Sequence, residues 1–135
     1  MAITEHRVLP MRLEAAPTAV PLEGVFVYRT DRPYEVAVEF RGGGARIARW
    51  VFSRELLIDG QTSATGEGDI QVWPRWTGTE PRILLALTNG EHGCVVSARA
   101  KDLRGLCRRM TELVPRGEEH RHYDLDAELS ALLTF

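Results

Sequence analysis

Lysine is almost absent from this chain. Of its 17 basic residues only Lys101 is a lysine and the rest are arginine. Arginine suits bidentate recognition of carboxylates or phosphates, and the same bias follows from GC-rich codons. A basic surplus is missing as well: 17 cations face 19 carboxylates, for a net charge of −2. Binders of nucleic acid usually carry an excess of cations to displace phosphate counterions, so only a local basic patch is left open to that role. With 2 cysteines the chain is no disulfide scaffold. Cys94 and Cys107 fall on a strand and on an apolar helix face, and read as buried free thiols in a reducing compartment. No run approaches the roughly eighteen apolar residues of a membrane span. The start, Met1-Ala2-Ile3-Thr4-Glu5-His6, has no basic stretch followed by an apolar one. The protein therefore reads as cytoplasmic, with membrane contact only through partners.

Catalytic constellations are lacking too. Ser53, Ser63, Ser97 and Ser130 have no glycine elbow around them. Gly42-Gly43-Gly44 is followed by no Lys-Ser/Thr pair and opens no helix, so it reads as a hairpin turn and not as a phosphate cradle. His120 and His122, flanked by Glu118, Glu119 and Asp124, are two apart and converge only on an extended segment. No cysteine lies near them, and they read as a solvated polar linker between helices, not as a zinc site. Glu67/Asp69 and Asp124/Asp126 sit in a glycine turn and at a helix start, where acids are favoured for structural reasons alone. Nothing here anchors an enzyme, a bound cofactor or a metal.

What the chain does have is a change of period. At 135 residues, 44% of them hydrophobic and 27% charged, it reads as one domain over 1–135. The first two thirds read as strands: Ile3 to Leu13, broken at Pro10; Pro21 to Arg29; Tyr34 to Phe40; and Ala45 to Phe52. In the third of these Tyr34, Val36, Val38 and Phe40 alternate with polar positions and share the buried face. Ser53 is placed to cap a short helix that carries Glu55 in its first turn and ends at Gly60. Gln61 to Gly68 reads as a loop. Asp69 to Trp76 and Arg82 to Thr88 form a hairpin, and Ile83-Leu84-Leu85-Ala86-Leu87, apolar on both faces, reads as a central strand. Cys94 to Ala98 returns after the turn at Asn89-Gly90. Then Leu103, Leu106, Cys107, Met110, Leu113 and Val114 recur at three and four, an apolar helix stripe stopped by Pro115 and Gly117. Asp124 caps a last helix with Leu125, Leu129, Leu132 and Leu133 on one side. Strands followed by helices indicate an α+β domain, antiparallel sheets with C-terminal helices against them.

The aromatics admit two readings. Trp50, Phe52, Trp73, Trp76 and Tyr34, with Arg49, Arg54, Arg75 and Arg82 nearby, could stack and track single-stranded nucleic acid. Alternatively Trp50 and Phe52, two apart, belong to the core. Trp73 and Trp76 then fall on opposite faces of their strand, so that one is exposed and marks a protein interface.

Two blocks and a tail point further. Trp50-Val51-Phe52-Ser53-Arg54-Glu55-Leu56-Leu57, Gly66-Glu67-Gly68-Asp69-Ile70-Gln71-Val72-Trp73-Pro74, and the stretch from Gly117 to Leu129 match the SsgA-like proteins in order and spacing. So does the hairpin entry Thr30-Asp31-Arg32-Pro33-Tyr34. The chain resembles this family of actinobacterial septation and sporulation factors from about Thr30 to Leu133, and within it the SsgB branch in particular; the first thirty residues match much less. The resemblance implies a whirly-like fold, a homo-oligomer that is typically a trimer, and no catalytic activity. It also implies a role at the division septum in recruiting the tubulin-like protein FtsZ and promoting its polymerisation, together with an SsgA-type paralogue. Because Arg54, Glu55, Asp69 and Trp73 lie in the strongest blocks, they are the candidate partner-binding residues. Whirly relatives bind single-stranded nucleic acid, which is the alternative function; fold alone does not decide between them.

Overall fold

The computed structural model describes residues 1–15, 17–76, 78–123, 129, 132 and 133. In chain order the elements are β1 (Thr4–Glu14), β2 (Val20–Arg29), β3 (Glu35–Gly42), β4 (Ala45–Ser53), α1 (Arg54–Asp59), β5 (Thr65–Glu67), β6 (Ile70–Arg75), β7 (Arg82–Thr88), β8 (Gly93–Arg99) and α2 (Ala100–Leu113). A 3₁₀ turn follows at Glu119–Arg121. The strands make one curled, eight-stranded sheet in the order β4-β3-β2-β1-β8-β7-β6-β5, antiparallel throughout. The expected α+β class is what the chain adopts, with one continuous sheet in place of separate sheets.

β1 is the splice between the two halves. It pairs with β2 from Thr4 to Leu13, but with β8 only from Met11 to Glu14. Where β8 is absent, α2 packs against β1, and Arg109 Nε donates to Glu5 Oε1 at 3.3 Å. The α2 stripe supplies Leu103, Leu106, Cys107 and Met110 to a core that also holds Phe26, Tyr28, Val38, Val72, Ile83 and Leu85. Each such side chain contributes about 1.5–3 kcal/mol relative to exposure, which is why a helix without a side-chain cap at Arg99 holds its place. Ile83, Leu84 and Leu85 are buried in succession, as a strand covered on both faces requires.

Pro10 does not break the first strand. The Thr30 N–H donates to Ile3 O, which fixes the alternation so that the nitrogens of even-numbered β1 residues point away from β2. Pro10 is even, and β8 pairing begins only at Met11. Its missing donor thus falls where no bond is required.

Other expectations are corrected. Tyr34 lies just outside β3 and is exposed, packing edge-on against Tyr123 with ring centroids 6.0 Å apart. Part of the loop from Gln61 to Gly68 is the strand β5. Cys107 is buried as expected, and burial pushes its thiol up to about 12, but Cys94 near the start of β8 is exposed. The segment from Gly117 to His122 is not wholly solvated, because Glu119 is buried. The final helix falls largely outside the described residues; Leu129, Leu132 and Leu133 are helical and exposed.

Candidate functional site

α1 starts where β4 ends. Ser53 is extended and its Oγ accepts the Glu55 N–H at 3.2 Å, so the cap read from the sequence is in place. Gly60 closes the helix against β6: a Cβ there would stand 2.2 Å from Val72 Cγ1, so only glycine permits the approach. This join sets Trp50-Val51-Phe52-Ser53 at the open edge of the sheet, beside the hairpin that links β5 to β6. That hairpin turns through Gly68, whose φ of +61° is the conformation glycine favours.

Between them lies a cleft of ≈ 380 Å³. Trp50, Phe52, Leu56 and Ile70 give it an apolar lining, and Glu67 and Asp69 stand on its far side. It is the seam left where the curled sheet brings its two terminal strands, β4 and β5, toward each other. The two sequence blocks that carried the family resemblance therefore meet here. No histidine or cysteine lines the cleft, and among the described residues no group of three or more metal-type ligands forms anywhere.

The four candidate residues part company. Arg54 is 0% exposed, so it cannot touch a partner directly, and that expectation is corrected. Its Nη1 donates to Val114 O at 2.8 Å, Met110 O at 3.2 Å and Tyr28 Oη at 3.1 Å, and its Nη2 to Glu119 Oε1 at 2.9 Å. The guanidinium thus supplies a donor to the Val114 carbonyl at the C-cap of α2 and a second one to the Met110 carbonyl, which already accepts the Val114 N–H at 2.9 Å. The Glu119 carboxyl is held below its ordinary range, first by its own backbone N–H, with further help from Arg54 and from the Gly117 N–H at 2.9 Å. Burial raises the Tyr28 phenol to about 12.

Glu55 sits half-buried on α1 and pairs with Arg116, which also binds Asp59 at 3.0 Å. Asp69 is exposed at the rim of the cleft, and its backbone carbonyl accepts the Thr88 N–H at 3.0 Å. Trp73 is half-buried on the opposite face of β6 from Ile70 and Val72, across from Leu84, and so lies outside the cleft. Trp76 is the exposed one of the pair. Trp50, Glu67 and Glu119 were not among these four partner-binding candidates, although Trp50 was one of the aromatics of the stacking reading. Trp50 and Glu67 lay inside the same blocks, whereas Glu119 carried no local signal of burial.

A second depression, of ≈ 440 Å³, lies on the outer face of β2, β3 and β4. Val27, Ala37 and Val51 floor it, and Arg29, Arg49 and Glu35 stand around it.

A family profile described as Streptomyces sporulation and cell division protein, SsgA, matches residues 22–119. The sporulation-specific cell division protein SsgB of Streptomyces coelicolor is 37% identical over 116 residues, covering 86% of this chain and 85% of that protein. The SsgB of Kineococcus radiotolerans is 36% identical over 128 residues, 93% of this chain and 76% of its own. Among solved structures, the SsgA-like sporulation-specific cell division protein from Thermobifida fusca superposes with a TM-score of 0.84 at 32% identity, covering 98% of this chain and 96% of that one. A structure reported in connection with SsgB mutations and longitudinal cell division in Streptomyces coelicolor gives a TM-score of 0.83 at 33% identity, over 91% and 98%. The chain belongs to the SsgA family of actinobacterial sporulation and cell-division proteins and stands close to its SsgB members.

Proposed function

We propose that this protein is a non-enzymatic adaptor of the SsgB type, which recruits FtsZ to the division septum and promotes its polymerisation. The observation that carries this reading is the likeness to sporulation-specific cell division proteins, over 86% of the chain in sequence and 98% in backbone. The surface agrees with an adaptor: the cleft combines apolar side chains with carboxylates. Val8, Ile47 and Val51 are exposed apolar residues on the β1 and β4 strands, suited to contacts between copies. A homotrimer would present each partner surface three times, and avidity for a filament of repeating subunits would rise accordingly. An SsgA-type paralogue would help place the assembly, and FtsZ would be met in the cytoplasm, with the membrane reached only through partners. Single-stranded nucleic acid gains no support, since the cleft rim is acidic and the whole chain carries −2.

Co-sedimentation with FtsZ of the same organism, with and without GTP, tests the reading. Enrichment in the polymer pellet together with more polymer is the expected result. Absence from the pellet at high protein concentration would overturn it, and a salt-sensitive shift of single-stranded DNA would restore the alternative. Trp73→Ala separates two roles of that residue: loss of pelleting by an intact oligomer assigns it to the partner, and conversion to monomers assigns it to the subunit interface.

A further inference from the structure

We propose that the seam accepts an extended partner segment by strand addition to β4, with apolar side chains entering the cleft and basic side chains meeting Glu67 and Asp69. The inference deepens the adaptor reading and rests on it for the identity of the partner, while the chemistry of the segment follows from the seam itself.

The backbone dictates that the occupant be extended. β4 ends the sheet, and among the described residues no strand pairs with its outer side. The Arg54 N–H donates to Tyr34 O at 2.9 Å, and Phe52 and Trp50 lie opposite Val36 and Val38 in the same register. Alternation therefore turns the N–H and C=O groups of Arg49, Val51 and Ser53 toward the open edge. Proteins usually blunt such an edge with lysine, proline or a bulge. Beyond Arg49, the stretch from Trp50 to Ser53 contains no charged residue or proline, and the register irregularity of β4 lies further back, opposite Phe40 and Arg41. An unprotected edge beside an apolar cleft is the arrangement that strand addition uses, with backbone bonds for affinity and alternate side chains for specificity.

Charge dictates the rest. Glu67 and Asp69 line the side of the cleft facing β4, both exposed, and neither carboxylate has an ion-pair partner among the described residues. The nearest β4 cation, Arg49, borders the outer-face depression and is not among the residues lining the cleft. A helix would leave the edge donors unpaired, and an acidic or phosphate-rich segment would meet two carboxylates. The segment that satisfies edge, lining and rim together alternates apolar and basic residues.

The test uses a capped peptide of alternating valine and arginine, titrated into the isotope-labelled full chain. The amides of Val51 and Ser53 should shift. Methylating the peptide's backbone nitrogens on its bonding edge, which leaves its side chains intact, should abolish the effect. A valine–glutamate peptide should not bind, and the exposed double variant Glu67→Lys with Asp69→Lys should bind the arginine peptide about ten-fold more weakly. Unmoved edge amides, or equal binding of the methylated peptide, would overturn the proposal. If the wild type pellets with FtsZ and the double variant pellets equally well, the seam is not the partner site although the adaptor reading stands. If the wild type fails to pellet, the adaptor reading falls and the peptide titration alone decides the seam. If the double variant dissociates an oligomer and no peptide binds, the seam joins copies of this chain and the proposal is likewise overturned.

Discussion

Arg54 and Arg116 bracket the same short helix, one from inside the protein and the other from water. Arg54 is the first residue of α1; it is wholly buried and reaches Tyr28, Glu119 and the last carbonyls of α2. Arg116 lies beyond α2, with its side chain 48% exposed, and grips Glu55 and Asp59 on the outer side of α1. Both are arginines bound to carboxylates, and both tie α1 to the chain that follows α2. They differ in what replaces them when they are gone. Water fills in for Arg116, whereas nothing solvates what Arg54 leaves behind.

The largest effect is therefore expected at Arg54. Arg54→Ala leaves the buried Glu119 carboxylate without its counter-ion and the Val114 carbonyl without its donor, and breaking a buried pair in this way costs about 3–5 kcal/mol. Urea unfolding should show that loss. Arg54→Lys should recover part of it, because one ammonium cannot span the same fork of acceptors. A loss below about 1 kcal/mol for the alanine variant would mean that water enters the site, and the contrast with Arg116 would vanish.

Next in size is the acid limb of stability. The Glu119 carboxyl is lowered from 4.5 in the folded chain. A depressed folded pKa gives stability that is present above the unfolded value and lost as pH falls through the folded one. The thermal midpoint should accordingly drop as pH goes below about 4.5. Glu119→Gln should lower the midpoint at neutral pH and flatten that acid slope. Some slope should survive, because Glu14 is also lowered, chiefly by the hydrogen bond from Ser97 Oγ at 2.6 Å. An unchanged slope in the variant would place the titrating group elsewhere.

These two predictions concern the part of the molecule that the sequence disguises most. Periodicity showed α2 through Leu103, Leu106, Cys107 and Met110, and β3 through Val36, Val38 and Phe40, because in both the pattern of burial is local. Ser53 was legible as a cap because its bond spans two residues. Arg54 follows that cap and precedes an acid, the ordinary look of an exposed first turn. One of its acceptors lies 26 residues back and the others 56, 60 and 65 residues further along, where no local pattern reaches. Glu119 was hidden for the same reason, between the half-buried Glu118 and the exposed His120. The seam was half legible. Both of its walls stood out as blocks, but their meeting depends on how the whole sheet curls; Asp69 reaches the cleft rim from the turn before β6, whereas alternation along β6 sends Trp73 to the face opposite Ile70 and Val72.

The smallest effect sharpens the contrast most. Arg116→Ala removes contacts to Glu55 and Asp59, whose side chains are 39% and 48% exposed. Exposed ion pairs typically contribute about 0–1 kcal/mol, since water and salt screen them and ordering long side chains opposes them. The two carboxylates also stand one helical turn apart on α1, so removing the arginine restores a mild repulsion between them. A loss within about 1 kcal/mol is expected, shrinking as salt is raised. Unfolding of Arg116→Ala in low and high salt reads this directly, with Arg54→Ala as the salt-insensitive reference. A large, salt-independent loss at Arg116 would show that the strand of chain from Pro115 to Glu118 is held chiefly by this contact. The burial of Glu119, and with it the Arg54 clasp, would then depend on the surface pair it was contrasted with.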